Sequence, residues 1–257
     1  SRLNPGKFYA LPQAPQQYKQ LLQVAGVEKY FQIARCFRDE DLRADRQPEF
    51  TQVDIEASFV NADDIIKIIE GLLSRCFKEA TGIEIEFPFP RLTYQEAMDV
   101  YGSDKPDKRF GLELIDLKEV FKNSEFKVFS GALNDGGVVK AINAKNFACV
   151  TTGQMNHLTE TAQLHGAKGL AFIKVEDGEW KSPIVKFFSD EEKATLTETM
   201  KIEEGDLILF GAGEWETVCE VLGRIRLECS KYLELTKDNE TLEFLWVTDF
   251  PLLAQDK

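Results

Sequence analysis

Residues 50–59 alternate between apolar and polar side chains, a period of two that predicts a half-buried β-strand. The preceding residues 30–37 are rich in aromatic and β-branched side chains and predict a partner strand. The connection from 38 to 49 is longer than a tight hairpin needs, which is typical of a functional loop. The alternation places Thr51, Val53, Ile55, Ala57 and Phe59 on one face, and Gln52, Asp54, Glu56 and Ser58 on the other.

Arg38 lies where the first predicted strand meets this loop. A guanidinium beside a strand face that carries Gln52 and Asp54 suits an anion such as a phosphate. A polar strand face is also what exposure to water produces, and a charged loop is usually solvated. The pattern alone therefore leaves a functional site and a wet hairpin as equal alternatives.

The sequence predicts three helices in the first hundred residues. Pro15 suits the first turn of a helix that runs to about residue 24, with Gly26 as its C-terminal stop. Asn61 is positioned to cap a second helix, which ends at Gly82 and is expected to pack behind the sheet. Residues 93–100 predict a third, shorter helix.

From about residue 114 the chain alternates between helical and strand-like runs, which predicts the α+β fold class. These runs are 117–121, 126–129, 138–142, 154–164, 170–175, 190–200, 207–210 and 217–233.

Composition narrows the possible partners. The chain has 257 residues with 31 basic and 44 acidic side chains, a net charge of −13, which argues against a protein that coats nucleic acid and gives no reason to expect DNA binding. A local RNA-binding patch stays open. No apolar run is long enough to span a bilayer, so no membrane partner is expected. The chain opens at Ser1 without a methionine, and both ends are expected to be cut from something larger.

Candidate catalytic residues outside the hairpin are few. The five cysteines are odd in number and contain no C-x-x-C pair, which favours reduced thiols in a cytoplasmic protein and predicts no metal site. His157 and His165 lack a partner constellation and are interpreted as ordinary helix residues. The glycines Gly211 and Gly213 are a weak phosphate-loop signal that a strand-to-helix turn explains.

Four stretches resemble a known family. Residues 36–52, CFRDEDLRADRQPEFTQ, closely resemble motif 2 of class II aminoacyl-tRNA synthetases in the form found in the bacterial aspartyl-tRNA synthetase family. Residues 8–22, FYALPQAPQQYKQLL, are similar to the amino-acid-binding segment of that family. Residues 166–175 and 206–213 resemble its GAD insertion domain, a module that also occurs in a subunit of tRNA-dependent amidotransferases.

The resemblance implies a domain organisation and an activity. Residues 1–112 would be part of the antiparallel-sheet catalytic domain, 113–238 a GAD-type α+β insertion, and 239–257 the return strand. The intact enzyme would be a homodimer that activates L-aspartate with ATP and Mg²⁺, and then transfers the aspartyl group to tRNA(Asp), in some members also to tRNA(Asn). Motif 1, motif 3 and most Mg²⁺ ligands are not found in this chain, so little activity is expected from it alone.

The resemblance also implies roles for individual residues. Arg38 would be the catalytic residue, gripping the α-phosphate of ATP and the α-carboxylate of aspartate as charge develops. Lys19 would pair with the substrate side-chain carboxylate. The other residues that would contact aspartate are Gln16, Gln17, Tyr18, Gln52 and Asp54, and those that would contact ATP are Asp39, Glu40 and Gln47.

Two other interpretations remain open. Asparaginyl- and lysyl-tRNA synthetases share the motif 2 plan, but neither is expected to carry the insertion domain. A non-catalytic tRNA-binding or amidotransferase-associated module built around the GAD-like region is the second alternative. Motif 2 and the segment around Lys19 argue against it, because an accessory module has no reason to keep an aspartate and ATP pocket.

Overall fold

The computed structural model describes residues 4–8, 16–38, 46–237 and 241–253. The chain forms two compact units, 1–88 and 89–257, which we call unit 1 and unit 2. Both mix helices with strands, and the two larger strand arrangements are antiparallel. The predicted α+β class is confirmed at this level.

The hairpin of unit 1 consists of β1 (Lys29–Phe37) and β2 (Glu49–Ala57), paired antiparallel. Ala34 lies opposite Gln52 and Gln32 opposite Asp54, so these four side chains share one face of the ladder. The predicted second strand extended too far at its C-terminal end, to residue 59 instead of 57. Phe59 lies beyond β2 with a φ of 60° and is almost fully exposed, so its assignment to the apolar strand face was wrong.

The polar face of the hairpin is the covered one and its apolar face is the exposed one, which is the reverse of an ordinary amphipathic strand. Asp54 is 4% exposed, and Gln52 and Glu56 on the same face are partly covered. On the other face Phe31 is 74% and Val53 54% exposed. The wet-hairpin alternative therefore does not hold for the polar face, which is the inner face of this unit.

Two helices complete the described part of unit 1. The first, α1 (Gln16–Val24), is followed by Gly26 at a φ of 91°. The second, α2 (Ala62–Thr81), begins with an Asn61 capping box and ends at Gly82 in the left-handed conformation. These boundaries confirm the helix predictions. The apolar positions of α2 remain partly exposed, so the expected packing behind the sheet is not observed among the described residues.

Unit 2 is built around a five-stranded sheet of order β4-β5-β8-β6-β7, with every neighbouring pair antiparallel. A separate parallel pair joins the two ends of the unit, β3 and β9. The strands are β3 (Arg91–Thr93), β4 (Ile115–Asp116), β5 (Val138–Ala144), β6 (Ala171–Glu176), β7 (Glu179–Lys181), β8 (Leu207–Gly213) and β9 (Trp246–Thr248).

The helices of unit 2 lie on both faces of this sheet. They are α3 (Tyr94–Tyr101), α4 (Lys118–Phe121), α5 (Lys127–Asn134), α6 (Thr152–Leu164), α7 (Asp190–Met200) and α8 (Trp215–Tyr232). One apolar core lies between the sheet and α6 and α8, and includes Leu158 and Leu222. The other lies beneath α4, α5 and α7, and includes Phe121 and Leu196. The unit is thus a three-layer α/β/α arrangement with two cores.

The helix α3 is held against α8 by an unusually close backbone contact. A Cβ added to Gly223 would lie 2.2 Å from the carbonyl oxygen of Gly102, and one added to Gly102 would lie 2.1 Å from that of Cys219. Only glycine allows this approach. Beside it, Lys140 Nζ donates to Asp99 Oδ1 at 2.6 Å, and Trp215 Nε1 donates to the same oxygen at 2.7 Å.

A buried arginine fixes the segment after α3. Arg226 of α8 is 1% exposed and donates from one terminal nitrogen to the carbonyl oxygens of Asp107, Phe110 and Gly111 at 2.6–3.0 Å. Burial lowers the pKa of its guanidinium. These contacts attach residues 107–111 to α8, and residues 89–112 belong to unit 2, while the insertion bounds 113–238 stay a prediction.

Asp206 ties together the loops at the other end of the sheet. It is 1% exposed and accepts hydrogen bonds from Lys145 Nζ and Asn143 Nδ2, both at 2.9 Å, and from the backbone N–H of Glu203 and Asn146. Burial alone would raise its pKa, but these donors outweigh burial and hold the pKa below its ordinary value.

We expect Gly223→Ala to destabilise unit 2 by about 1–3 kcal/mol, because the new methyl group would collide with backbone rather than with a mobile side chain. The matched control is Gly153→Ala in α6, where an added Cβ meets nothing within 4 Å, and a gain of up to about 1 kcal/mol is expected. Urea unfolding followed by tryptophan fluorescence measures both, since all three tryptophans lie in unit 2. Equal stabilities for the two variants would contradict the close contact.

We expect Asp206→Asn to cost about 1.5–3 kcal/mol at pH 7, the scale of a hydrogen bond to a charged group. A lowered folded-state pKa contributes stability that is present above the unfolded-state pKa and is lost as pH falls through the folded value. The stability difference between wild type and variant should therefore shrink as the pH is lowered from 7 to 3. A difference that is constant over this range would show that Asp206 does not titrate below its ordinary pKa.

Candidate functional site

Lys19 is the only buried residue of α1, and its ammonium lies on the polar face of the hairpin. Its Nζ is 2.8 Å from Asp54 Oδ1 and 2.6 Å from Glu56 Oε1. A lysine ammonium has three donors, so these two contacts leave one for a further acceptor. The structure thus brings together Lys19 and Asp54, which lie 35 positions apart in the sequence.

The electrostatics of this cluster favour a cation. One ammonium and two carboxylates give a formal charge of −1. Hydrogen bonds to Asp54 and then to Glu56 raise the pKa of Lys19, so it stays charged at neutral pH. The second carboxylate oxygen of Asp54, Oδ2, is buried and receives no hydrogen bond from the described residues. An ammonium group of a ligand would supply the missing donor.

The neighbouring residues on the same face carry no charge. Gln52 Nε2 lies 3.5 Å from Asp54 Oδ1, a long contact, and Cys36 Sγ lies 3.6 Å from Gln52 Oε1. Cys36 and Ala34 are buried on β1 beneath them. The predicted pairing of Gln52 with Asp54 on one strand face is therefore present, with Gln52 partly exposed toward the open side.

Arg38 lies farther along the same face. It follows β1 directly, and its backbone N–H donates to the carbonyl of Pro48 at 2.8 Å, which closes the described neck of the hairpin. Its guanidinium lies over the ring of Phe50, 5.0 Å from the centroid. Four residues at about 3.4 Å each separate Arg38 from Ala34 opposite Gln52, or roughly 14 Å. A cationic group and an acidic cluster therefore occupy opposite ends of one strand face.

The remaining predicted site residues divide into two groups. Gln16, Gln17 and Tyr18 are exposed on α1 and are not part of the Lys19 cluster, and Gln47 is exposed at the neck of the hairpin. Asp39 and Glu40 lie outside the described residues. Their proposed contacts with ATP stay predictions.

Two residues of the site were missed from the sequence. Glu56 contributes the second carboxylate on Lys19, and its position two residues after Asp54 on the polar face was a sufficient signal. Phe50 supports the Arg38 guanidinium, but no sequence pattern distinguishes that ring from an ordinary strand residue.

Other titratable groups offer no competing site among the described residues. Burial raises the pKa of Cys219 to about 11 and that of Cys229 to about 12, so neither thiol is a nucleophile at neutral pH. His157 Nδ1 is paired with the Tyr232 hydroxyl, and His165 Nδ1 with the backbone carbonyl of Thr161. Within the same residues, no group of three or more His, Cys, Asp or Glu side chains is arranged to hold a metal ion.

Comparison with protein families decides the assignment. Residues 1–256 match the model of the tRNA synthetases class II (D, K and N). The chain belongs to this family. The prediction made from motif 2 and the Lys19 segment is confirmed at the level of the family.

Curated relatives extend the match over the whole chain. The Aspartate–tRNA(Asp/Asn) ligase of Opitutus terrae is 59% identical over 261 residues, covering 100% of this chain and 44% of the relative. That of Methylacidiphilum infernorum is 56% identical, covering 98% and 42%. The Aspartate–tRNA ligase of Geobacillus kaustophilus is 57% identical, covering 100% and 44%. The chain therefore spans less than half the length of these relatives.

Two further observations complete the comparison. A hypothetical protein from Pyrococcus horikoshii OT3 is 25% identical, with a TM-score of 0.27 over 42% of this chain and 54% of its own, which is too low to support an argument. Across the part of the chain that the structure describes, no helix is both long and apolar enough to cross a membrane.

We expect the pKa of Lys19 to fall in Asp54→Asn and, by a smaller amount, in Glu56→Gln, because Asp54 is the larger cause of its raised value. The ion pair's contribution to stability should be complete below the ordinary lysine pKa and lost as pH rises through the raised one. NMR titration of the lysine side chains measures this. Lys78, whose pKa is raised by Glu84, is an internal control that should not change. An unaltered Lys19 pKa in both variants would contradict the cluster.

Proposed function

We propose that this chain is part of an aspartate–tRNA ligase that forms aspartyl-adenylate from L-aspartate and ATP and transfers the aspartyl group to tRNA. The observation that carries the proposal is the cluster of Lys19, Asp54 and Glu56 on the strand face that leads to Arg38. Relatives named as aspartate–tRNA ligases, 52–59% identical to this chain, support the choice of amino acid. Asparaginyl- and lysyl-tRNA synthetases are less well supported.

The cluster suits an amino acid with two carboxylates and one ammonium. Asp54 Oδ2, an acceptor without a donor, would bind the α-ammonium of aspartate. The third donor of Lys19 would bind the side-chain carboxylate. Glu56, the more exposed partner of Lys19, would hold the Lys19 ammonium in position before the substrate arrives. Gln52 would contribute a neutral hydrogen bond beside them.

The first chemical step joins two anions, so positioning and charge neutralisation are the main tasks of the protein. The α-carboxylate of aspartate attacks the α-phosphorus of ATP, the bond between that phosphorus and the pyrophosphate oxygen breaks, and pyrophosphate leaves. Arg38 would donate to the α-phosphate as its charge increases, with Phe50 keeping the guanidinium on the substrate face. Gln47, together with Asp39 and Glu40, would contact ATP. ATP carries Mg²⁺ into such reactions, and one or two carboxylates together with the phosphates of ATP are the usual ligands of that ion.

The topology of unit 2 supports an inserted domain. β3 and β9 are adjacent parallel strands, yet about 150 residues separate them in the chain. The chain therefore leaves after β3 and returns at β9 to the neighbouring strand position. This is the arrangement expected of a GAD-type insertion, with β9 as the return strand. The boundaries that the pairing favours lie near residues 94 and 245.

The proposal includes the partners of the longer protein. By family, these are L-aspartate, ATP and tRNA in a cytoplasmic homodimer. Relatives with both printed names, for Asp alone and for Asp/Asn, fall in the same range of identity.

In the full-length protein, Arg38→Ala should lower kcat/KM for aspartate-dependent pyrophosphate exchange by about 100- to 1000-fold, or roughly 2.7–4 kcal/mol, the effect of losing one oriented donor. The matched control is Arg35→Ala on the opposite face of β1, where the guanidinium is exposed and paired with Glu49, and exchange should be nearly unchanged. Near-normal exchange by Arg38→Ala would refute the assignment.

Lys19→Ala should raise the KM for aspartate while leaving that for ATP mostly unchanged, because Lys19 belongs to the amino-acid end of the face. An amino-acid panel in the same exchange assay tests the substrate directly. Exchange that depends on asparagine or lysine instead of aspartate would overturn the proposed activity. The isolated 257-residue chain should show little exchange, and a rate near that of the full-length protein would contradict its assignment as a part.

A further inference from the structure

The polar face of the hairpin makes a second contact with α1, beside the Lys19 cluster. Ser58 follows β2 directly, and its hydroxyl donates to Oε1 of Gln23. Ser58 lies four positions after Asp54 and Gln23 four positions after Lys19, so each continues the face that carries the ion pair. The helix therefore contacts the hairpin at two places along its length.

The covered surface of α1 is limited to these two residues. Lys19 is buried and Gln23 is half-buried, while every other residue of the helix is exposed to solvent. The exposed residues include the apolar side chains of Leu21, Leu22 and Val24. Within the described part of unit 1, polar contacts therefore determine where α1 lies on the hairpin.

Backbone hydrogen bonds fix the end of α1 close to Ser58. Gly26 has a φ of 91° and its N–H donates to the carbonyl of Gln23 at 3.0 Å, so the chain turns sharply after the helix. The N–H of Ser58 donates to the carbonyl of Glu28 at 2.8 Å. The residue that holds the Gln23 side chain is thus also bonded to the segment that leads from α1 into β1.

The two contacts restrict the helix in different ways. The Lys19 ammonium is a point charge on a flexible four-carbon stem, so its ion pairs tolerate a range of helix positions. The hydrogen bond from Ser58 to the shorter and planar Gln23 amide is directional. Nε2 of the same amide is buried without an acceptor among the described residues, so the amide is held through its oxygen. The Gln23 contact therefore limits how far α1 can pivot about Lys19.

We propose that Gln23 and Ser58 are positioning residues of the aspartate site. Their hydrogen bond fixes the direction of α1 on the hairpin, and thereby places the Lys19 ammonium for the side-chain carboxylate of the substrate. The inference rests on the proposed function, in which Lys19 binds that carboxylate. Neither positioning residue touches the substrate in this arrangement. They keep Lys19 within the narrow range of positions that a pre-organised site requires.

Pyrophosphate exchange by the full-length protein tests the effect on aspartate. Gln23→Ala and Ser58→Ala should each raise the KM for aspartate about 3- to 10-fold, the effect of one hydrogen bond, with kcat and the KM for ATP nearly unchanged. The double variant should be no worse than either single one. Gln20→Ala, on the exposed side of the same helix, is the matched control, and Ser58→Thr keeps the hydroxyl; both should resemble wild type. An unchanged KM for aspartate, additive effects, or a loss confined to kcat would overturn the positioning role.

A measurement without substrate separates this inference from the proposed function. Acetic anhydride acetylates free amines, and mass spectrometry of the full-length protein gives the rate at Lys19. Gln23→Ala should raise this rate about threefold or more, the effect of one lost hydrogen bond, relative to Lys78, an exposed lysine of α2 paired with Glu84. Gln20→Ala should leave it unchanged. Unaltered Lys19 reactivity in Gln23→Ala would overturn the positioning role even where exchange depends on aspartate. Raised reactivity in a protein whose exchange requires another amino acid would support the positioning role and refute the proposed function.

Discussion

The charge on Lys19 is the constraint on which the described part of unit 1 depends. Every other residue of α1 is at least partly exposed, so apolar burial does little to hold this helix to the hairpin. An ammonium between two carboxylates does so instead, and it makes the inner face of the hairpin polar. Burying such a pair is costly, and replacement by apolar residues is often neutral or stabilising in other proteins. Under the proposed function, the reason for this arrangement is the recognition of aspartate.

Unit 2 follows a different physical plan. Two apolar cores on either side of its sheet supply the burial, and polar residues determine how the connecting segments are attached. Arg226 binds three carbonyl oxygens instead of a carboxylate, and Asp206 gathers four donors at the opposite end of the sheet. Each of these buried charges contacts several groups, and an apolar replacement would leave backbone atoms unpaired, although the Nε of Arg226 itself has no partner among the described residues.

Local elements could be predicted from the sequence because their signals are local. Asn61 and Gly82 mark the ends of α2, and strict alternation marks β2. The covered face of the hairpin could not be predicted in this way, since alternation separates two faces without showing which one is buried. The helix that carries Lys19 could also be predicted from local signals. The contact of Lys19 with Glu56 could not, because the two residues lie 37 positions apart in the sequence. The attachment of α3 to α8 required two glycines, Gly102 and Gly223, to meet from distant segments.

The close crossing of α3 and α8 determines where this chain can be divided. A gene fragment that starts at residue 113 would remove the carbonyl groups that Arg226 binds and the carboxylate that neutralises Lys140, so both charged side chains would lose these partners. It would also expose the glycine surface of α8. A fragment that starts before β3 and ends after β9 keeps all of these contacts. Such a fragment would begin and end on two strands that pair with each other, so its two ends would lie side by side.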